Sequence, residues 1–395
     1  MPAAVPKPRR LVRSAKDYVN LGHNKVENHL KTQQSELKEE LKPTDTVTYR
    51  IGQFLWTNFF GFVYHYVKSR FGRRHPYSAY PKQDDSGVYQ IPPVASFALL
   101  SDWASDTEES DKVGRLAARY EPDYSIHLGD VYFVGTQKEV AANFLIPEAS
   151  WPWGRCGSLA LSGNHEMYSN GRAFFETLLP KMWIEQSGIR VVQKAGFFCL
   201  ENDYWRVIGL DTGYTSVRNP VMEILRPPDC RLKDAQLHWL RDQVGLGNPE
   251  DRRGLLFLSH HPPFSVFREA FPEPARQLVS LLGVAKRPAA WIWGHEHRLI
   301  VYSGQSLTGE WPVHGRCIGH GGMPVELDQP ADISPIVFRD DRIRTRLKRK
   351  NLGYNGFAYL RLDGPEALIQ YVDLDNTLVY QEVLRVEEGA VVVEG

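Results

Sequence analysis

Two aspartates, an asparagine and two histidines of this 395-residue chain share one local setting. Asp102, Asp130, Asn164, His260 and His295 each come just after a short apolar run, in ASFALLSD, DYSIHLGD, SLALSGNH, GLLFLSHH and AAWIWGHEH. Such runs read as buried strands, so the five polar residues fall at strand ends. In an α/β sheet the carboxyl ends of the strands are where loops converge and sites are built. The spacings allow pooling in one crevice: Asp102 to Asp130 is 28 residues, Asp130 to Asn164 is 34 and His260 to His295 is 35, each about the length of one βαβ unit. Carboxylate, imidazole and amide oxygen together suit hard or borderline ions such as Mn, Fe and Zn, and no thiolate joins the set. A carboxylate shared by two ions holds them about 3.5–4 Å apart, the geometry that clamps attacking and leaving oxygens during in-line displacement at phosphorus. Asp130 is the natural bridge. A water acidified by the pair would be the nucleophile, with no need of a Ser or Cys.

The elements that must position these residues alternate. Strand-like runs are separated by the helical patterns KVGRLAARY, KEVAANFLI and RAFFETLL, which is β-α-β rhythm. FFCLE and WRVIGLD continue the strands, and a β-rich tail with FAYLRLDG, ALIQYVD and TLVYQEVL predicts a second sheet closing a sandwich. Residues 91–395 are expected to form the catalytic domain. Residues 1–90 are expected to be a helical extension and linker. Within them, residues 12–42 read as an exposed amphipathic helix stopped by Pro43, and residues 75–93 as linker. Residues 51–67 hold no formally charged residue and are followed by Lys68, Arg70, Arg73 and Arg74. The run is short for a bilayer span and is interrupted by Gln53, Thr57, Asn58 and His65. It reads either as an aromatic helix packed on the catalytic domain or at a dimer contact, or as an interfacial helix with a basic collar, giving peripheral membrane contact through residues 51–74.

Hydrophobic residues make up 42% and charged residues 24% of the chain, which excludes wholesale disorder. Lys plus Arg equals Asp plus Glu at 47 each, so no global field draws the protein to nucleic acid. Cys156, Cys199, Cys230 and Cys317 lie far apart with no CxxC pair, so neither a zinc knuckle nor a redox motif is signalled. With no secretory pattern in the basic N-terminus, the expected location is the cytoplasm. Residues 342–350, RIRTRLKRK, hold six basic residues in nine. They read as a solvated edge strand protected by charge, or else as a surface for an anionic backbone, an anionic lipid or a phosphorylated substrate.

The blocks SDWASD, LGDVYF, SGNHE, LSHHPP and GHEH, in that order, resemble the calcineurin-like metallophosphoesterase superfamily. The tryptophan after Asp102 and the tyrosine after the GD pair resemble its purple acid phosphatase branch. The resemblance covers roughly residues 94–385, including LDTG at 210–213 and IGHGG at 318–322. It implies a four-layer α/β/β/α sandwich that hydrolyses phosphate esters at two metal ions. By the same resemblance Asp102, Asp130 and His297 would hold the first ion, and Asp130, Asn164, His260 and His295 the second. His165 matches the family's phosphate-contacting histidine, expected to stabilise the phosphorane or protonate the leaving oxygen, with Glu166 as its orienter. His260, first in the H-x-P pattern, is taken as ligand and His261 as the residue supporting it. Asp211 is read as a strand-end hydrogen bonder, and His314 and His320 as structural or rim residues.

One position departs from the pattern. The family's D-x-H histidine is Ala104 here, and Tyr132 follows Asp130 by two residues where the purple acid phosphatase branch has a tyrosine at three, the place of Phe133. Tyr132, Asp106 or solvent would complete the first site. The expected substrate is a phosphorylated small molecule, with monoesters preferred. A phosphodiesterase is the alternative enzyme, and a metal-poor interaction scaffold on the same fold is the alternative outside enzymes.

Overall fold

The strand Val94–Leu100 sends Phe97 and Leu99 to one face and Ala98 and Leu100 to the other, and both faces are buried. Burial on both sides is why this run is continuously apolar instead of alternating. The computed structural model in which it sits describes residues 73–80, 86–217, 228–267, 270–327, 335–347 and 350–394. The expected helix at residues 12–42 and the uncharged run at 51–67 lie outside the described residues. Among the described residues, no helix is long and apolar enough to cross a membrane.

Val94–Leu100 pairs in parallel with Tyr124–His127, which pairs in parallel with Gly157–Ala160, at the centre of a nine-stranded sheet. A second sheet of eight strands has Trp205–Gly209, Gly254–Ser259, Ala289–Trp293 and Trp311–Ile318 in parallel at its centre. The sheets pack face to face. Phe97, Leu99, Ile126 and Leu159 of the first meet Val207, Leu256, Leu258 and Ile292 of the second in one buried cluster. Helices cover the outer faces. Val113, Leu116 and Ala117 of the helix Glu108–Arg119 pack against Ala98, Leu100 and Ala160. Trp239 and Leu240 of Asp234–Asp242, with Leu278 and Leu282 of Glu273–Leu282, pack against Ile208, Phe257 and Trp291. The result is the α/β/β/α sandwich.

Glu108–Arg119 starts where it does because Thr107 and Ser110 form a reciprocal capping box and three acidic residues occupy the first turn, where they face the positive end of the helix. A buried ion pair ties the layers together. Arg316, from the second sheet, donates to both carboxylate oxygens of Glu382 at 2.6 Å, and Tyr371 adds a third bond to Glu382 at 2.7 Å.

Three expectations change. The tail strands Gly356–Asp363, Glu366–Asp373 and Leu378–Glu387 extend the first sheet instead of founding the second. Gly356–Asp363 lies antiparallel beside Val94–Leu100 with Leu360 opposite Phe97, so the tail's apolar side chains complete the existing inner face. The patterns KEVAANFLI and RAFFETLL contain π-helical turns at Ala141–Leu145 and Phe174–Leu178. Within the stretch read as linker, Val88–Gln90 is a strand paired with Phe198–Glu201, and Tyr80, Tyr89 and Ile91 are buried.

Candidate metal centre

Asp102, Asp130 and His295 leave their strand ends in left-handed backbone, with φ of 54°, 72° and 66°. For non-glycine residues this conformation persists only where the surroundings over-determine it, as at functional sites. The loops that carry these residues also crowd one another. A Cβ on Gly129 would come within 2.8 Å of both the Gly163 nitrogen and His260 Nδ1, and one on Gly163 would reach 2.2 Å from Asp130 Oδ1. The glycines of the GD and GN pairs are therefore required by close approach, and three strand ends meet at one point.

Each buried carboxylate is oriented. Asp102 Oδ2 accepts from the Ser101 hydroxyl and from the His295 N–H, both at 2.8 Å, while Oδ1 lies 3.4 Å from His297 Nε2. Asp130 Oδ1 accepts from the His165 N–H at 2.9 Å, and its Oδ2 lies 3.2 Å from His260 Nε2 and 3.8 Å from His165 Nε2. His260 Nδ1 lies 3.1 Å from the Leu128 carbonyl, leaving Nε2 for the centre, where it is 3.3 Å from His295 Nδ1. The Asn164 amide donates to the Tyr168 hydroxyl at 3.1 Å, while its buried Oδ1 has no hydrogen-bond partner among the described residues.

The Tyr132 hydroxyl stands among the groups of the first site. It donates to Asp102 Oδ1 at 2.7 Å and Asp130 Oδ2 at 3.0 Å, and lies 2.9 Å from His297 Nε2. Ala104 is buried beside it, and its carbonyl accepts from the Tyr132 N–H at 2.9 Å. Asp106 is half-buried, and its N–H donates to Asn143.

Charge follows from this packing. Burial opposes ionisation of Asp130, yet His260 and His165 more than offset it and hold its carboxyl well below the usual range. Asp102 is lowered in the same way, burial being outweighed by His260 and His297. Burial likewise opposes charge on His260, but Asp130 and Asp102 raise it to about 9. Burial above all, then Asp102 and Asp130, pushes Tyr132 well above the phenol range.

The donor set fits metal ions. Donor atoms of Asp102, Asp130 and His260 lie within 4.8 Å of one another, as do those of His260, His261 and His295. Donors about 2.1 Å from one ion lie roughly 3–3.4 Å apart when they are neighbours in its coordination shell. The contacts of 2.9–3.4 Å around His260 and His297 have that spacing. Asp130, through its single Oδ2, touches both groups.

Glu166 does not orient His165. Its Oε2 accepts from the N–H groups of Gly163 and Asp130 at 2.8 and 3.2 Å, so it braces the loop that carries Asn164, while His165 Nδ1 contacts the Phe133 carbonyl. Burial, with Asp130 adding, lifts Glu166 to about 8. His261 reaches the histidine cluster while its Nδ1 lies 3.0 Å from the Thr212 hydroxyl. Asp211 accepts from Ser162 and from the Tyr214 N–H, a bonding role as expected. His314 contacts the Val391 carbonyl, and His320 is buried at the start of the loop that returns to Asp102 through the Met323 N–H. Of the basic residues at 342–350, Arg342 pairs with Asp340 and Asp373, and Arg344 with Glu109. The sequence reading missed Tyr168, although its position four residues after Asn164 is the spacing at which helical side chains meet.

Crevice, glycines and donor set define a candidate metal-binding centre. The calcineurin-like phosphoesterase family matches residues 95–299, more than half the chain, and the protein belongs to that family. It is thus a metal-binding hydrolase of phosphoric ester bonds. Similar folds include Plasmodium GAP50, described as the anchor in the inner membrane complex, with a TM-score of 0.51 at 14% identity over 74% of this chain and 89% of that one. PhoD has a TM-score of 0.50 at 10% identity over 77% and 72%. The purple acid phosphatase PPD1 of yellow lupin (Lupinus luteus) seeds has a TM-score of 0.49 at 15% identity over 77% and 54%. No curated protein matches significantly by sequence.

Proposed function

We propose that the protein is a phosphomonoesterase with a dinuclear centre. Asp102, Asp130, Tyr132 and His297 would hold the first ion, and Asp130, Asn164, His260 and His295 the second. The observation that carries this reading is the position of the Tyr132 hydroxyl, 2.7–3.0 Å from Asp102, Asp130 and His297. It supplies the donor that Ala104 cannot. When bound, the ions supply Lewis acidity, acidifying water near neutral pH and neutralising charge on phosphoryl oxygens.

The chain's own residues do the rest. Asp130 spans both groups, and its fixed Oδ1 keeps Oδ2 turned inward. His165 packs tilted against Tyr132, with ring centres 4.2 Å apart and the planes at 55°, and lies 3.8 Å from Asp130, placed to contact a phosphoryl oxygen and hand a proton to the leaving oxygen. A phosphorylated small molecule is the substrate class. The deciding assay compares p-nitrophenyl phosphate with its bis ester on protein loaded with Mn, Fe or Zn, using Asn164→Ala as control. Faster turnover of the monoester, lost at least 100-fold in the variant, supports the reading. Faster turnover of the bis ester makes the protein a phosphodiesterase.

A further inference from the structure

Residues 73–80 precede the family-matched region yet lie against two loops that build the centre. On one side the His75 N–H donates to the Asn170 carbonyl at 3.0 Å and the His75 ring stacks on Phe175 at 4.8 Å. Asn170 closes the turn that begins at Asn164 and His165. On the other side the Arg74 guanidinium donates to the carbonyls of Tyr214 and Val217 and lies 5.2 Å from the Tyr214 ring centre. The Tyr214 hydroxyl donates back to the His75 carbonyl at 2.7 Å, and Tyr77 packs edge-on to Tyr214 at 4.8 Å.

Residues 211–217 contain neither helix nor strand, so their side-chain and carbonyl partners fix their path. Inward, Asp211 Oδ1 accepts from the Tyr214 N–H at 3.0 Å and from the Ser162 hydroxyl at 2.7 Å, two residues before Asn164. The Thr212 hydroxyl lies 3.0 Å from His261 Nδ1 and accepts from the His261 N–H at 3.2 Å. A Cβ on Gly213 would reach 2.4 Å from the Ser162 carbonyl, so the loop is wedged between the blocks that carry Asn164 and His260. Outward, its carbonyls are met by Arg74 with charge-assisted bonds. The guanidinium that the sequence assigns to a basic collar is turned into the protein.

We propose that residues 73–80 are a strap and that Arg74 is a positioning residue, acting through Tyr214, Asp211 and Ser162 to hold Asn164 and His260 in place for the second ion. This rests on the dinuclear reading. It explains how a segment outside the family region bears on the chemistry without touching a donor atom.

The test uses the 395-residue chain and its Arg74→Ala, Arg74→Lys and Tyr214→Phe variants. Zinc titration of metal-free protein gives stoichiometry and the two affinities, hydrogen exchange reports on amides 211–217, and p-nitrophenyl phosphate turnover separates kcat from KM. Changes behind metal ligands weaken binding 10–100-fold. Arg74→Ala is therefore expected to weaken the second ion about tenfold, leave the first within about threefold, speed exchange across 211–217 and lower kcat more than it raises KM. Arg74→Lys, which keeps a charged donor, should recover part of the loss. A folded Arg74→Ala protein with both affinities and the 211–217 exchange within about twofold of wild type overturns the proposal. Should Arg74→Ala fail to fold, Tyr214→Phe must show the same selective loss at smaller size, and wild-type behaviour there overturns it equally. Wild-type protein binding fewer than two ions defeats the dinuclear reading separately, and exchange across 211–217 then still decides whether the strap holds the loop.

Discussion

Changing Tyr132 to phenylalanine removes one oxygen and leaves the ring packed against His165 and Met323. That oxygen contacts Asp102 at 2.7 Å, His297 at 2.9 Å and Asp130 at 3.0 Å. Since losses behind a ligand cost 10–100-fold in affinity, losing an oxygen that touches three of the proposed ligands should weaken the proposed first site by at least about 100-fold, roughly 2.7 kcal/mol. The proposed second site keeps Asn164, His260 and His295, and its affinity should shift less than about tenfold. Proton release gives an independent measure. Burial and the two carboxylates keep the Tyr132 hydroxyl protonated well above the phenol range, so acting as a ligand requires that proton to leave. Calorimetric titration in buffers of different ionisation enthalpy should show Tyr132→Phe releasing about one proton fewer with the first ion. Equal first-ion affinity and equal proton release would refute the reasoning and pass the position to Asp106 or solvent.

Gly163→Ala places a Cβ 2.2 Å from Asp130 Oδ1; it should abolish metal uptake while far-UV circular dichroism stays unchanged. Glu382→Ala leaves Arg316 buried without its carboxylate partner, bonded only to the Tyr302 and Gly315 carbonyls among the described residues, and both side chains are almost fully enclosed. Urea unfolding should show a loss of about 3–5 kcal/mol, much of it restored by Arg316→Met with Glu382→Leu. His127 is fully buried with no bond to either ring nitrogen from the described residues, and burial lowers it from 6.5 to about 3 against the pull of Asp102 and Asp130. Only the unfolded state then gains this proton as pH falls from 6.5 toward 3, so stability drops across that window by up to about 1.4 kcal/mol per pH unit. His127→Phe should flatten the acid limb of stability between pH 6.5 and 5 by about 2 kcal/mol, and an unchanged slope counts against it.

The strand-end placement of Asp102, Asp130, Asn164, His260 and His295 was legible in the sequence because burial on both faces leaves an uninterrupted apolar run that stops at the crevice. The blocks around them were legible because the glycines beside the donors answer to close contacts that no other residue satisfies. Other features depend on pairings that local pattern does not encode. FAYLRLDG reads as a strand, but its place beside Val94–Leu100 is set by the register that puts Leu360 next to Phe97 on the face both strands turn to the core. Glu166 sits next to His165 in sequence, yet its carboxylate turns back to the Gly163 and Asp130 amides because their N–H groups are buried and need an acceptor. Arg74 belongs to a basic run in the sequence, and only the fold brings the Tyr214 and Val217 carbonyls to it.

Metal stoichiometry tests the central claim most directly. Wild-type and Asp130→Asn protein, reconstituted with zinc, freed of excess ion and analysed by inductively coupled plasma mass spectrometry, should differ sharply. Asp130 is the carboxylate common to both groups, so two ions per chain are predicted for wild type and fewer than one for the variant. One ion or none in the wild type, or two retained in Asp130→Asn, would contradict a centre bridged by Asp130.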